Sequence, residues 1–391
     1  MKKHLLCALA YYGASACVST SSADTSAQEA SSWREALGAD ISDEWSAPIH
    51  RQFDFWIGEG EANWRAKPQG EFYHQKEGSW TRGRVFPILG GKALIELAWA
   101  RDNPEEASQR GFSIRYFDPA RERWVMAQNW PGPGGNGSGF MDQLIGKEYH
   151  GRLSMYSIVR RPDGEGEFNI QHRRYNFTDI RPGVGFRWDG SNTADEGATW
   201  STWYVVDFHA LRALDPYGPA GTPFPGVHGQ NLCTEEPHGA FNNLQGVWQG
   251  ETADASGAVS PATFSAGLAL DGCGVMGVMD ANDIKTFVAV GYNATGGKWM
   301  FYTLDDQPGT THEYYVSDEA GEGAVFRHAP DLAIKDEFTA YNLQAYFEAE
   351  GALRRIVWEK FTETEIRLKV ETRSAPDTAW RLEKTYRLIK Q

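Results

Sequence analysis

Two stretches of the chain carry the same alternation of apolar and polar positions. In TWSTWYVVDF, Trp200, Thr202, Tyr204, Val206 and Phe208 fall on one face; near the end, Trp380, Leu382, Lys384, Tyr386 and Leu388 do so at matching parity. A period of two with the apolar set on one side predicts strands turned to a core. RPDGEGEF, NATGGK and AEGAL read as hairpin turns between such strands. No long amphipathic helix pattern interrupts them.

The pattern is also repeated. FDFWIGEG from Phe53 aligns with FNNLQGVW from Phe241, placing Gly58 on Gly246. ILGGKALIEL from Ile88 aligns with ALDGCGVMGV from Ala269, and YFDPARERW ending at Trp124 with YNATGGKW ending at Trp299. FTDI at Phe177 meets FTETEI at Phe361, and Trp200 meets Trp380. Landmarks in one order at nearly constant separations indicate a tandem duplication. Short strands joined by tight turns in each copy predict an up-and-down barrel or a sandwich. The proline-rich stretch DPYGPAGTPFPGVHGQ between the copies reads as a linker.

The N-terminus has a different character. Lys2 and Lys3 precede the apolar run Leu5–Tyr12 and then Ala14-Ser15-Ala16-Cys17, the order of a secretory signal, with a run too short to cross a bilayer. Cleavage after Ala16 would expose Cys17 for lipidation; ordinary cleavage there or after Ala23 is the alternative. The expected location is the periplasm, or the outer membrane as a lipoprotein. The expected organisation is a signal peptide over 1–23, a tether over 24–50, a first barrel over 51–212, a linker over 213–239 and a second barrel over 240–391.

A net charge of −14 argues against nucleic acid and anionic lipid surfaces as partners, leaving the anchor at Cys17 as the route to a membrane. Loss of the signal leaves Cys233 and Cys273, which an oxidising compartment would let pair; two buried thiols are the alternative. Catalytic signatures are missing: there is no Gly-x-Ser-x-Gly elbow, His-Glu-x-x-His helix or CxxC pair. Ten histidines make no compact metal spacing, so neither a metal nor a cofactor is expected; a haem would need an axial ligand such as His172 or His150. The glycine-rich GPGGNGSG from Gly132 reads as a loop over a barrel mouth, beside Trp130, whose ring could stack on a sugar or line a ligand site.

FDFWIGEGEANW, LGGKALIE, YFDPARERWVMAQNW and DEGATWSTW together resemble a group of bacterial lipocalin-like domains of unknown function, within the wider calycin group. Copy two adds Gly-x-Trp at Gly246 and Trp248, where copy one has Gly60 in place of the tryptophan. The resemblance implies an all-β fold of two tandem lipocalin-like up-and-down antiparallel β-barrels, with aromatics plugging each closed end near Gly58 and Gly246.

Differences between the copies point to a site. His172 falls on Ile356, Arg174 on Trp358 and Glu96 on Gly277. If Ile356 and Trp358 face inward, copy one holds an imidazole and a guanidinium inside its barrel, with Glu96 as a partner. The alternative puts His172 and Arg174 on the outer wall. The leading expectation is an exported protein binding a small, largely apolar ligand in the first barrel, with Glu96, Trp130, His172 and Arg174 as candidates. The alternatives are an enzyme (hydrolase, isomerase or cyclase) using those polar residues, and a carbohydrate-binding or structural module.

Overall fold

The computed structural model describes residues 36–66, 74–100, 109–129, 142–162, 168–193, 195, 197–212, 237–293, 297–329 and 351–391. The strands form two closed antiparallel barrels in tandem, ten strands each. In the first, β1 (Gly58–Ala66) pairs with β2 (His74–Ile88) on one side and closes on β10 (Ser201–Arg212) on the other. Between them run β3 (Ala93–Ala100), β4 (Gln109–Asp118), β5 (Arg123–Asn129), β6 (Asp142–Tyr149), β7 (Arg152–Pro162), β8 (Phe168–Arg181) and β9 (Gly185–Thr193), each paired with its neighbours in sequence.

The second barrel repeats this meander. It comprises β11 (Gly246–Asp254), β12 (Val259–Ala269), β13 (Gly274–Ala281), β14 (Ile284–Asn293), β15 (Lys298–Asp305), β16 (Glu313–Ser317), β17 (Val325–His328), β18 (Arg354–Phe361), β19 (Glu365–Thr372) and β20 (Arg381–Lys390), closed by β11 on β20. Closure gives every strand a neighbour on both edges, with the ladder shortest at β17, which pairs with only Arg355, Ile356 and Val357 of β18 among the described residues.

Both barrels begin at a glycine that only a residue without Cβ adopts easily: Gly58 has φ 125 and Gly246 has φ 128. A 3-10 segment precedes each, Asp54–Trp56 and His238–Leu244, and feeds aromatics into the floor. In the second barrel Phe241 and the fully buried Trp248 fill it, the indole donating to the Leu244 carbonyl at 2.8 Å. In the first, Gly60 stands in the place of Trp248, and the space is taken by the Phe208 ring, whose Cζ would lie 1.9 Å from a Cβ at Gly60. Trp56, Phe186 and Phe53 complete that floor. The missing Gly-x-Trp tryptophan is thus replaced from another strand.

The barrels pack on each other through their outer walls. Phe86, Ile95, Phe112, Ile114 and Tyr116 of the first meet Met276, Val278, Phe287, Tyr302 and Tyr314 of the second in one buried cluster. Strands in this seam are apolar on both faces, and LIE in β3 and GVM in β13 are buried without alternation. Strands away from it alternate, as in β9 and β19. The packing is pseudo-symmetric: the turn after β2 touches β14 and the turn after β12 touches β4. Phe112 and Phe287, equivalent in the two copies, stack with centroids 6.1 Å apart. Leu89 (φ 55) and Leu270 (φ 57), at those turns, hold a backbone conformation unfavourable to leucine while wholly buried in the seam.

Part of the segment expected as a tether belongs to this core. Leu37 and Trp45 are buried, and the Gly38 carbonyl and Ser42 amide bond to Gly90 at 2.7 and 2.8 Å. Their apolar side chains find a groove that the repeat alignment could not show. The signal segment with Cys17, the interbarrel linker with Cys233, and the glycine loop with Trp130 lie outside the described residues.

Candidate functional site

Each barrel encloses a cavity on the side of the floor that faces its mouth. The first, about 240 Å³, is walled by Trp56, Trp64, Trp188, Trp203, Tyr175 and Tyr204, with Glu96 and Arg173 among its polar contributors. Trp56 comes from the 3-10 turn before β1 and the other aromatics from β1, β8, β9 and β10; Trp64 meets Trp188 edge to face at 5.3 Å. Burial raises the Tyr204 hydroxyl well above its ordinary value, with Tyr175 beside it acting in the same sense.

Glu96 is buried on β3 and accepts two bonds on one oxygen, Oε2: from Ser113 Oγ at 2.7 Å and from Arg115 Nη2 at 2.9 Å. Arg115 is fully buried, with its guanidinium 4.1 Å from the Trp56 ring centre. Among the described residues its Nε and Nη1 find no hydrogen-bond partner. Burial pushes the Arg115 pKa down, opposed by the Glu96 charge. In the second barrel the equivalent positions are Gly277, Val288 and Val290, so this buried pair belongs to the first barrel alone.

His172 and Arg174 do not join Glu96. β8 presents Arg173, Tyr175 and Phe177 to the interior, which puts His172 and Arg174 on its outer face. There the Arg174 guanidinium sits 4.2 Å from the Trp200 ring centre. The second barrel has the same outer contact, Arg355 at 4.3 Å from Trp380.

The inward expectation fails because of a register offset. Phe177 lies opposite Trp188, and its counterpart opposite Leu368 is Trp358, not Phe361. FTDI and FTETEI therefore occupy different places in the two hairpins, and each strand has its own register shift, after Thr178 in β8 and after Trp358 in β18. Ile356 and Trp358 do face inward, but they match Tyr175 and Phe177; Arg354 matches Arg173. Phe361 lies three positions after Trp358, and an odd shift exchanges the faces of a strand.

The second cavity, about 450 Å³, is the larger. Where the first barrel has Tyr175, Trp188 and Tyr204, the second has Ile356, Leu368 and Lys384, and the smaller side chains leave room. Ile356, Trp358 and Gly277 in place of His172, Arg174 and Glu96 suggest a second cavity without polar groups, but it does carry them. Arg354 donates from Nη1 to both oxygens of Glu313 at 2.6 and 2.8 Å, and from Nη2 and Nε to Glu383 at 2.7 and 3.1 Å. Tyr315 donates to Glu313 at 2.6 Å. Sequence comparison missed Arg173 and Arg354; the RR pairs of HRRY and LRRI, aligned on each other, would have found them.

The first barrel also shapes the second cavity's mouth. Lys92, buried in the turn after β2, donates to the Gln307 carbonyl at 2.7 Å and to the Thr310 carbonyl and hydroxyl at 3.1 and 2.7 Å. Asp305 lies 3.7 Å away. Burial lowers the Lys92 pKa to about 8, against the pull of Asp305 and Asp306. Cys273, which matches Lys92 in the second copy, is buried and disulfide-bonded. Among the described residues no cluster of His, Cys, Asp and Glu has metal-binding geometry.

No protein-family model matches the chain, and no curated protein matches it significantly. Among solved structures it is similar to a protein of unknown function from the DUF3598 family of Nostoc punctiforme, at 10% identity over 90% of this chain and 100% of the other, with a TM-score of 0.23. It is also similar to Aeromonas veronii immune modulator A, at 9% identity over 92% and 99% of the two chains, with a TM-score of 0.13. At such scores neither likeness bears on function.

Proposed function

We propose that the protein binds a small, largely apolar, flat ligand in the first barrel. One observation carries this: four tryptophans and two tyrosines wall a cavity into which a buried carboxylate, Glu96, projects. Such walls supply affinity by stacking, and a single polar group supplies orientation. At about 240 Å³ the space lies below the roughly 300–1,000 Å³ of drug-sized pockets, which favours a flat molecule of no more than about three rings. In this reading the barrels are lipocalin-like, and the chain is exported to the periplasm or anchored through Cys17. The partner is the ligand rather than nucleic acid.

Titration of the full chain with N-phenylnaphthylamine, read by quenching of tryptophan emission, tests the site. Tyr175→Ala should weaken binding roughly tenfold, about the loss of one aromatic wall, and His172→Ala should leave it within about twofold. Equal effects of the two changes would refute the assignment. Export further implies a Cys233–Cys273 bridge that clamps the linker to the second barrel. Thiol titration of the denatured, unreduced mature protein should find neither sulfur free, and a free thiol at Cys233 would exclude that pairing.

A further inference from the structure

We infer that the second barrel is an independent binding site for an amphiphile with one anionic headgroup, held by Lys384. The cavity has the volume for a ligand, about 450 Å³, and its walls divide by chemistry. Met279, Val288, Phe301, Ile356 and Leu368 form an aliphatic and aromatic depth suited to a hydrocarbon body. The charged residues lie higher, toward the mouth, and all but one are already engaged.

Glu313 is satisfied by Arg354 and Tyr315, and Arg354 by Glu313 and Glu383. Asp305 accepts the Gln307 amide and the Thr310 hydroxyl and faces Lys92. Lys384 is different. It sits on β20 opposite Val370, one step below Arg354, and among the described residues no carboxylate lies within ion-pair distance of it. Its cross-strand neighbours are Val370 and Asp254, whose Oδ1 accepts from Ser256 and the Ala258 amide, and the Tyr386 ring lies 5.9 Å away. An ammonium carries three donors and no acceptor, so its complement is an acceptor-rich anion.

Two carboxylates share Arg354, so the rim carries one negative charge in excess. That surplus disfavours an anion at the mouth and leaves the level of Lys384 as the place where one is stabilised. The first barrel has Tyr204 at this position, so the two cavities select different ligands. A carboxylate and a phosphate monoester satisfy the same donor, and both serve as probes.

Calorimetric titration of the full chain with decanoate, decyl phosphate, decanol and decylamine tests the inference. At least one anion should bind tenfold or more tightly than decanol, and decylamine should bind weakest. Lys384→Met should erase the preference for the anion while changing decanol binding less than threefold, and Lys384→Arg should retain it. Leu368→Trp, which places the Trp188 side chain of the first barrel in the same register, should abolish the heat of binding. No tryptophan lines this cavity, so tryptophan quenching continues to report the first barrel and separates failure of one reading from failure of the other. Equal affinities for decanoate, decyl phosphate and decanol, a preference that survives Lys384→Met, or no binding by any probe would overturn the inference.

Discussion

Arg115 is wholly buried and meets a single carboxylate, Glu96, beneath the cavity of the first barrel. Removing one partner of such a pair leaves an uncompensated charge in a medium that solvates it poorly, at a cost of about 3–5 kcal/mol. Glu96→Ala should therefore lower the urea midpoint sharply. Replacing both residues with apolar ones of similar volume should restore most of the loss. A single change costing under about 1 kcal/mol would mean that water reaches Arg115. Glu96 was legible in the sequence because it stands where the other copy has Gly277, and a charge facing a glycine across a repeat draws notice. Arg115 was hidden: Val290 is its true counterpart, and the connections after β3 and β13 differ in length, so an overlay that pairs Glu96 with Gly277 does not carry on to pair these two. Lys384 was visible as an inward position of the alternating last strand, but its lack of a partner exists only in three dimensions.

Along single strands, period-two patterning identified the β elements and the inward face of β10 and β20 from Tyr204 and Lys384 onward; register shifts just before these residues leave Trp200 and Trp380 on the outer wall, and the pattern also gave the wrong face of β8. The pattern there is weak because both sides carry arginine: Arg173 points in and Arg174 points out. Register depends instead on irregularities with no sequence mark of their own, after Thr178 in β8 and after Trp358 in β18. The outer contact of Arg174 on Trp200 recurs as Arg355 on Trp380, which marks it as a strut of the fold rather than a specificity of one barrel. Arg174→Ala should accordingly cost about 0.5–1 kcal/mol of stability, the worth of an exposed cation–aromatic contact. Quenching titrations of the variant should match the parent. A large loss of N-phenylnaphthylamine binding without loss of stability would return Arg174 to the site.

The two barrels form one body through a seam whose polar centre is a pair from opposite copies. Tyr116 Oη accepts the His312 backbone amide at 3.1 Å, which frees its own proton for His312 Nδ1 at 2.7 Å. The imidazole lies parallel to the Tyr302 ring, 5.6 Å away, with Tyr314 against its edge. Burial, with Arg121 and His328 acting in the same sense, pushes the His312 pKa down to about 3. The folded protein therefore keeps this ring neutral at pH values where the unfolded chain has protonated it, below an ordinary value near 6.5. Its contribution to stability is complete above 6.5 and declines as pH falls from 6.5 toward 3, by at most about 1.4 kcal/mol per pH unit. Lys92, at the other polar contact of the seam, is charged in both states throughout that window. Its burial cost is relieved only as pH rises from about 8 toward the ordinary lysine value, so it does not mask the acid effect. His312→Gln cannot take up the proton. Urea unfolding of the full chain between pH 6 and 4 should then show a shallower fall in stability for the variant than for the parent, with the carboxylates common to both cancelling. Parallel curves would show that His312 is hydrated, and that the seam opens before the barrels unfold.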